Sequence, residues 1–257
     1  MKKICLFIAA IMIAFTATAA TAEGLKIYIN PGHGGYDSDD RNVVVDPFTS
    51  GDPDGFWESK SNLVKGLALR DMLQERGVTV TMSRVTNTTA DDLGLSTIAA
   101  LANAADVDMF FSIHSNATGI DARRNYPLML YRGYDAAPSN EEDYVMSGVL
   151  FNQLIKNEAT VWTSTSVNLR GCMSFYGYNL GVLNPLTVSG LLSEGSFHDY
   201  IPEAYRLLNN EYCWLEGLHF MKAIDDHFEL EGEEHGYIGG VVLNDRVKRD
   251  EVYIMYD

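Results

Sequence analysis

Apolar and polar positions along this chain fall into short alternating runs separated by longer stretches of helical period. Lys26 to Asn30 (KIYIN) is short and rich in β-formers, and it leads directly into Pro31-Gly32-His33-Gly34-Gly35. That pattern predicts a strand entering a glycine-rich turn. Residues 36–56 are polar, with Gly, Pro and Asp clustered, as in a long surface loop. From Ser59 to Arg76, Leu63, Val64, Leu67, Met72 and Leu73 recur at helical spacing, and Gly77 supplies the stop. Residues 78–82 (VTVTM) alternate as a strand should, and residues 95–105 predict a second helix ahead of an apolar strand at 109–113. Further on, 126–131 reads as a strand, 145–156 as a helix and Leu191-Leu192-Ser193 as a short strand. A long amphipathic helix follows from about Pro202 to Phe228.

Strands alternating with helices of this length predict an α/β domain: a single, largely parallel, twisted sheet with helices on both faces. In such a sheet the strand ends and the loops after them line one edge. Both ends of the chain depart from the pattern. Lys2 and Lys3 precede a twelve-residue apolar run from Ile4 to Phe15, and Ala20-Thr21-Ala22 closes the segment. A basic start, an apolar stretch and an A-x-A site are the parts of a secretory signal peptide. The run is shorter than the roughly 18 residues that span a bilayer, which disfavours a membrane anchor. Residues 1–22 are therefore expected to be removed on export to the periplasm, cell envelope or beyond, leaving no stable membrane insertion. Cys5 precedes the apolar run, the wrong place for lipid attachment. The catalytic domain is expected over 23–229. Residues 230–257 form an acidic connector and a β-rich tail of two short strands, either an edge hairpin or the start of a further module.

Composition narrows the partners. The chain is 46% hydrophobic, ordinary for a domain with a substantial core. The formal charge is -16, or -18 without Lys2 and Lys3. Nucleic acid and anionic lipid would be repelled at long range. After export only Cys172 and Cys213 remain. They either pair in an oxidising compartment or lie apart as buried thiols, and neither has a neighbour at zinc-finger spacing.

Four residues carry candidate chemistry, because ligand sites of α/β sheets gather beyond the strand ends. His33 sits in the turn after the first strand, His114 follows 109–113, Glu194 follows Leu191-Leu192-Ser193, and Glu58 opens the first helix. Two neutral imidazoles and one carboxylate are a recurring catalytic Zn²⁺ set, with the fourth position open. A further carboxylate outside the set must handle the proton, and Glu194 is the candidate. Taken singly, each has a plainer reading: a loop histidine on the surface, or a glutamate balancing a helix dipole. Glu194 is the least ordinary, since an apolar run ending in Glu-Gly carries a carboxylate toward the core.

The runs Ile29-Asn30-Pro31-Gly32-His33-Gly34-Gly35, Phe111-Ser112-Ile113-His114-Ser115-Asn116-Ala117 and Leu192-Ser193-Glu194-Gly195 resemble signature segments of the zinc-dependent N-acetylmuramoyl-L-alanine amidases. Glu58-Ser59-Lys60-Ser61-Asn62-Leu63 is similar to that family's Glu-led helix, and Val80-Thr81-Met82-Ser83-Arg84 to its next strand. Gly171 and Val182-Leu183 resemble the segment before the catalytic glutamate. The resemblance runs in order from about Lys26 to Phe228. It implies His33, Glu58 and His114 as zinc ligands and Glu194 as the catalytic carboxylate. The implied substrate is peptidoglycan, cut between the lactyl group of N-acetylmuramic acid and L-alanine.

The chain departs from that pattern in places. The loop between His33 and Glu58 is enlarged and carries Asp37, Asp39, Asp40, Asp46, Asp52 and Asp54. Ile98-Ala99-Ala100 and Asn184 stand where basic residues are frequent, and Gly195-Ser196-Phe197-His198 replaces the usual continuation after the glutamate. His198 either hydrogen-bonds Glu194 or lies on the surface; His219, His227 and His235 are expected to be structural or exposed. No wall-binding repeat is recognisable, so targeting falls to the catalytic domain or to a regulatory protein partner. Two other functions remain open at this point: a catalytically silent peptidoglycan-binding module, and a zinc peptidase acting within the stem peptide.

Overall fold

The computed structural model describes residues 24–36, 42–119, 123–156 and 168–230, together with Ala22 and Thr160. The signal-peptide segment up to residue 21, Asp37, Asp39, Asp40, and the tail from 231 with His235 lie outside the described residues. In chain order the elements are β1 (Lys26–Pro31), the two-residue strands β2 (Asn42–Val43) and β3 (Phe56–Trp57), α1 (Glu58–Glu75), β4 (Thr79–Met82), α2 (Leu95–Ala105) and β5 (Met109–Asn116). They continue with β6 (Leu128–Tyr131), β7 (Gly133–Tyr134), β8 (Ala137–Pro138), α3 (Glu141–Lys156), β9 (Leu169–Gly171), the one-turn α4 (Cys172–Phe175), β10 (Ser189–Phe197), α5 (Ile201–Leu207) and α6 (Asn210–Phe228).

Six strands form one sheet in the order β4-β1-β5-β10-β6-β9. All neighbours are parallel except β10 and β6. The side-chain period of two divides each central strand between two cores. Ile27, Ile29, Met109, Phe111, Ile113 and Leu191 face α1, α3 and α6, meeting Leu69, Leu73, Leu150 and Phe220. Tyr28, Phe110, Leu130 and Leu192 face the other way, onto Ile98, Ala99 and Ala102 of α2 and the Val182–Leu186 segment. Each fully buried Leu, Ile or Phe contributes roughly 1.5–3 kcal/mol. The two-sided apolar pattern thus makes the three-layer architecture expected of it.

Several local expectations are revised. β5 and β10 run three and four residues further than the apolar signal alone suggested, to Asn116 and Phe197. The ladder pairing continues past the apolar positions and ends near a register shift between Glu194 and Phe197. The single helix expected over 202–228 is two. The Asn209 side chain accepts from the backbone N–H groups of Glu211 and Tyr212 and starts α6 afresh. The loop before Glu58 is not purely a surface feature: Val45 and Phe56 are buried against Ala204, Leu207 and Cys213. Cys172 and Cys213 are unpaired buried thiols in different apolar clusters.

His219 on α6 is buried rather than exposed, and its Nδ1 has no hydrogen-bond partner among the described residues. Burial, with Lys222 nearby, lowers its pKa to about 4. A histidine depressed in the fold is neutral in both states above about pH 6.5, while below that the unfolded chain alone takes the proton. Its stabilising contribution is therefore lost as pH falls from about 6.5 to about 4. Replacing His219 with Leu should flatten this part of the profile. In urea titrations between pH 7 and 4, the wild type should lose about 3 kcal/mol more than the variant.

Candidate metal centre

Three elements deliver three potential ligands to the edge of the sheet where β1 and β5 end. β1 runs into the turn that carries His33, whose backbone is left-handed with φ 61°. This conformation is uncommon for a residue with a side chain, and such residues gather at functional sites. α1 begins with Glu58, packed in the interior with 2% exposure. β5 carries His114, which is the register partner of Glu194 on β10. Partners in adjacent strands project to the same side of a sheet.

The ligand atoms of His33, Glu58 and His114 all lie within 4.8 Å of one another. His114 Nδ1 is 3.1 Å from Glu58 Oε1, and His33 Nε2 is 3.3 Å from Glu58 Oε2. Glu58 Oε1 also accepts hydrogen bonds from Ser115 N–H at 3.0 Å and Asn62 Nδ2 at 3.2 Å. Burial alone would raise the Glu58 pKa. The His33 charge and the hydrogen bonds from both histidines overturn that effect and hold the carboxyl well below its usual range. Burial lowers the pKa of His114, against the pull of Glu58, and favours the neutral imidazole that ligates a metal.

Close packing holds the turn around this cluster. A Cβ on Gly32 would stand 2.0 Å from His114 Cε1, so the glycine leaves room for the imidazole. A Cβ on Gly34 would meet the backbone of Asp92 at 2.6 Å. The buried guanidinium of Arg84 donates to the carbonyls of Pro31, Gly32 and Ser59 at 2.9, 3.0 and 2.6 Å. It ties the turn to the head of α1 and fixes His33 and Glu58 relative to each other.

Glu194 is the second carboxyl of the site. Burial, followed by the neighbouring Glu58 charge, pushes its pKa well above the usual range. Its Oε2 is buried and makes no hydrogen bond with the described residues. His198 neither pairs with Glu194 nor lies on the surface. It is buried beneath the cluster, stacked on Phe56, with Nδ1 at 3.0 Å from Ser115 Oγ and 3.8 Å from Glu58 Oε2. The register shift after Glu194 turns the chain, so that His198 reaches β5 instead. His227 pairs with Glu142, away from the cluster.

Two further buried polar residues lie behind Glu58 on α1. Asn62 and Lys65 follow Glu58 at i+4 and i+7, so they share its buried face. The sequence does carry that signal: polar groups at helical period where apolar ones are expected.

An imidazole–carboxylate–imidazole set beside a second buried carboxylate is the donor arrangement of a mononuclear hydrolytic metal site, and the residues present fit a divalent ion of the zinc type. The family described as N-acetylmuramoyl-L-alanine amidase matches residues 27–214, and the chain belongs to that family. It is 28% identical over 190 residues to the N-acetylmuramoyl-L-alanine amidase CwlM of Bacillus licheniformis, a match covering 73% of this chain. The chain spans 62% of that relative's length. Among solved structures, the amidase AmiC2 of Nostoc punctiforme superposes with a TM-score of 0.58 at 22% identity, covering 80% of this chain and 97% of that one. The CwlD amidase of Clostridioides difficile, solved in complex with the GerS lipoprotein, gives 0.62 at 17% identity, with 80% and 98% covered. These structures share the mostly parallel α/β fold.

A methyl group on Gly32 would displace the His114 ring. Gly32→Ala should therefore lower divalent-metal affinity at least tenfold while the far-UV circular dichroism stays unchanged, as measured by competition with a chromophoric chelator.

Proposed function

We propose that this chain is an exported zinc amidase that hydrolyses the bond between N-acetylmuramic acid and L-alanine in peptidoglycan. The observation that carries this reading is the convergence of His33, Glu58 and His114 within 4.8 Å, with Glu194 opposite His114 in the ladder. Membership of the amidase family supports the substrate. His33, Glu58 and His114 would hold the ion, and zinc, when bound, supplies the Lewis acidity that polarises the scissile carbonyl and eases ionisation of water.

The rest of the chemistry falls to this chain's own groups. Glu194 accepts the proton of the attacking water and passes it to the leaving nitrogen of L-alanine. Its position beside the ligands, without a competing hydrogen bond at Oε2, leaves that oxygen able to take part. Glu58 stays ionised, bound by Ser115 N–H and Asn62, and so remains a ligand rather than a proton carrier. Two carboxyls pushed in opposite directions divide the work between them. The basic start, apolar run and Ala20-Thr21-Ala22 site support export to the periplasm or cell envelope. That a structural relative was solved with a lipoprotein supports, for this chain too, a regulatory protein partner.

Elemental analysis of the purified mature protein should find about one zinc per chain, lost in His33→Ala and His114→Ala. Glu194→Ala should keep the zinc and lose at least 100-fold in release of stem peptides from sacculi. Mass analysis of the products would reveal free L-alanine amino termini. Cleavage inside the stem would point to a peptidase instead, and zinc-loaded protein that binds sacculi without releasing peptide would point to a silent binding module.

A further inference from the structure

The Lys65 side chain is wholly buried, and its ammonium lies 2.8 Å from Glu216 Oε2 of α6, itself only 9% exposed. Burying such a pair removes two ions from water, and replacing it by apolar residues of similar volume is commonly neutral or stabilising. The surrounding helices supply apolar partners in abundance, among them Ala68, Leu69, Leu218 and Phe220. Stability is therefore a weak reason for these charges to be here, and their location suggests another.

Lys65 lies seven residues after Glu58 on the same buried face of α1. Across from it, Glu216 presses against the peptide that follows Glu194. A Cβ on Gly195 would stand 2.0 Å from Glu216 Oε1, so the absent side chain is what admits the carboxylate. Glu203, the other acid nearby, already receives Asn125, Arg206 and Tyr212. Glu194, in contrast, has a buried oxygen with no hydrogen bond among the described residues and two like charges around it, Glu58 and Glu216. Lys65 is the cation that opposes them, and its field also reaches His114.

We propose that Lys65, anchored by Glu216 in the space left by Gly195, is a positioning residue for the amidase reaction: an internal counter-charge that holds the Glu194 carboxylate in its working position beside the ligand cluster. This rests on the amidase reading and adds a residue pair to it. The pair is not part of the ligand set, and acts through Glu194. In a low-dielectric site a fixed cation acts on a buried carboxylate far more strongly than in water.

The test uses two charge-neutral double variants of the full mature chain, so that neither partner is left buried alone. Lys65→Met/Glu216→Leu fills the site with apolar groups, and Lys65→Gln/Glu216→Gln keeps polar contact without charge. The expected result is an unchanged or higher melting temperature, unchanged zinc affinity by chelator competition, and unchanged KM on a soluble disaccharide–stem peptide fragment. The kcat should fall about tenfold or more in both variants, the signature of an interaction that matters only in the transition state. A second readout is independent of turnover. In metal-free, carbon-13-labelled protein, the Glu194 carboxyl resonance, assigned by its loss in Glu194→Gln, should move in both double variants. If either well-folded variant keeps kcat within about twofold of wild type and the resonance stays in place, the pair is structural and the proposal is wrong. If the zinc-loaded wild type releases no peptide, the amidase reading fails. The resonance then decides alone: a shift supports Lys65 as the counter-charge of Glu194, and none overturns it.

Discussion

Glu58 has to keep a negative charge in the interior of the molecule, and much of the site's construction serves that requirement. An ionised carboxylate away from water is tolerated only when it is hydrogen-bonded or paired. Here Ser115 N–H and Asn62 bind one oxygen, and the two histidines, His33 in the turn after β1 and His114 on β5, face the carboxylate. To supply those partners, β1 must bend sharply after Pro31, β5 must extend past its apolar core, and α1 must start at this point. Arg84 fastens the first and third of these together through three backbone carbonyls.

The same constraint separates the two carboxyls of the site. Glu58 is surrounded by donors and held ionised. Glu194 stands on β10, and burial, followed by the Glu58 charge, pushes its pKa up. Neither identity nor sequence position distinguishes these glutamates; their environments do. Buried polar groups run from Glu58 through Asn62 to Lys65 and Glu216. They pass through a helix interface that also buries Leu69, Leu73, Leu218 and Phe220.

Glycines make the close approaches possible. At Gly32 the vacancy takes the His114 ring, and at Gly195 it takes the Glu216 carboxylate. Each lies beside a residue of the site, and each brings a side chain of another element within contact of the backbone. Such contacts depend on volume more than on hydrogen-bond chemistry, since any Cβ at either position would lie inside the neighbour's van der Waals radius.

Local pattern determined a good deal about this protein. Period-two strands, period-3.6 helices and their alternation were enough for the parallel α/β sheet with two helical faces, because burial on both sides leaves an unbroken apolar signal in β5 and β10. The turn at His33, the head of α1 at Glu58 and the strand ends near His114 and Glu194 were likewise legible, since α/β sheets place ligands at one edge. What sequence could not supply was every relation between residues far apart in the chain. Whether the helix after residue 201 was one or two depended on the Asn209 cap, and whether 36–56 was solvated depended on a pocket made by α5 and α6. His198 was set against Glu58 rather than Glu194 by a register shift, and His219 was buried by tertiary packing. The Lys65–Glu216 pair joins residues 151 positions apart. Local preferences are properties of neighbours in the chain, whereas a buried charge finds its partner in space, and only the tertiary structure decides who that partner is.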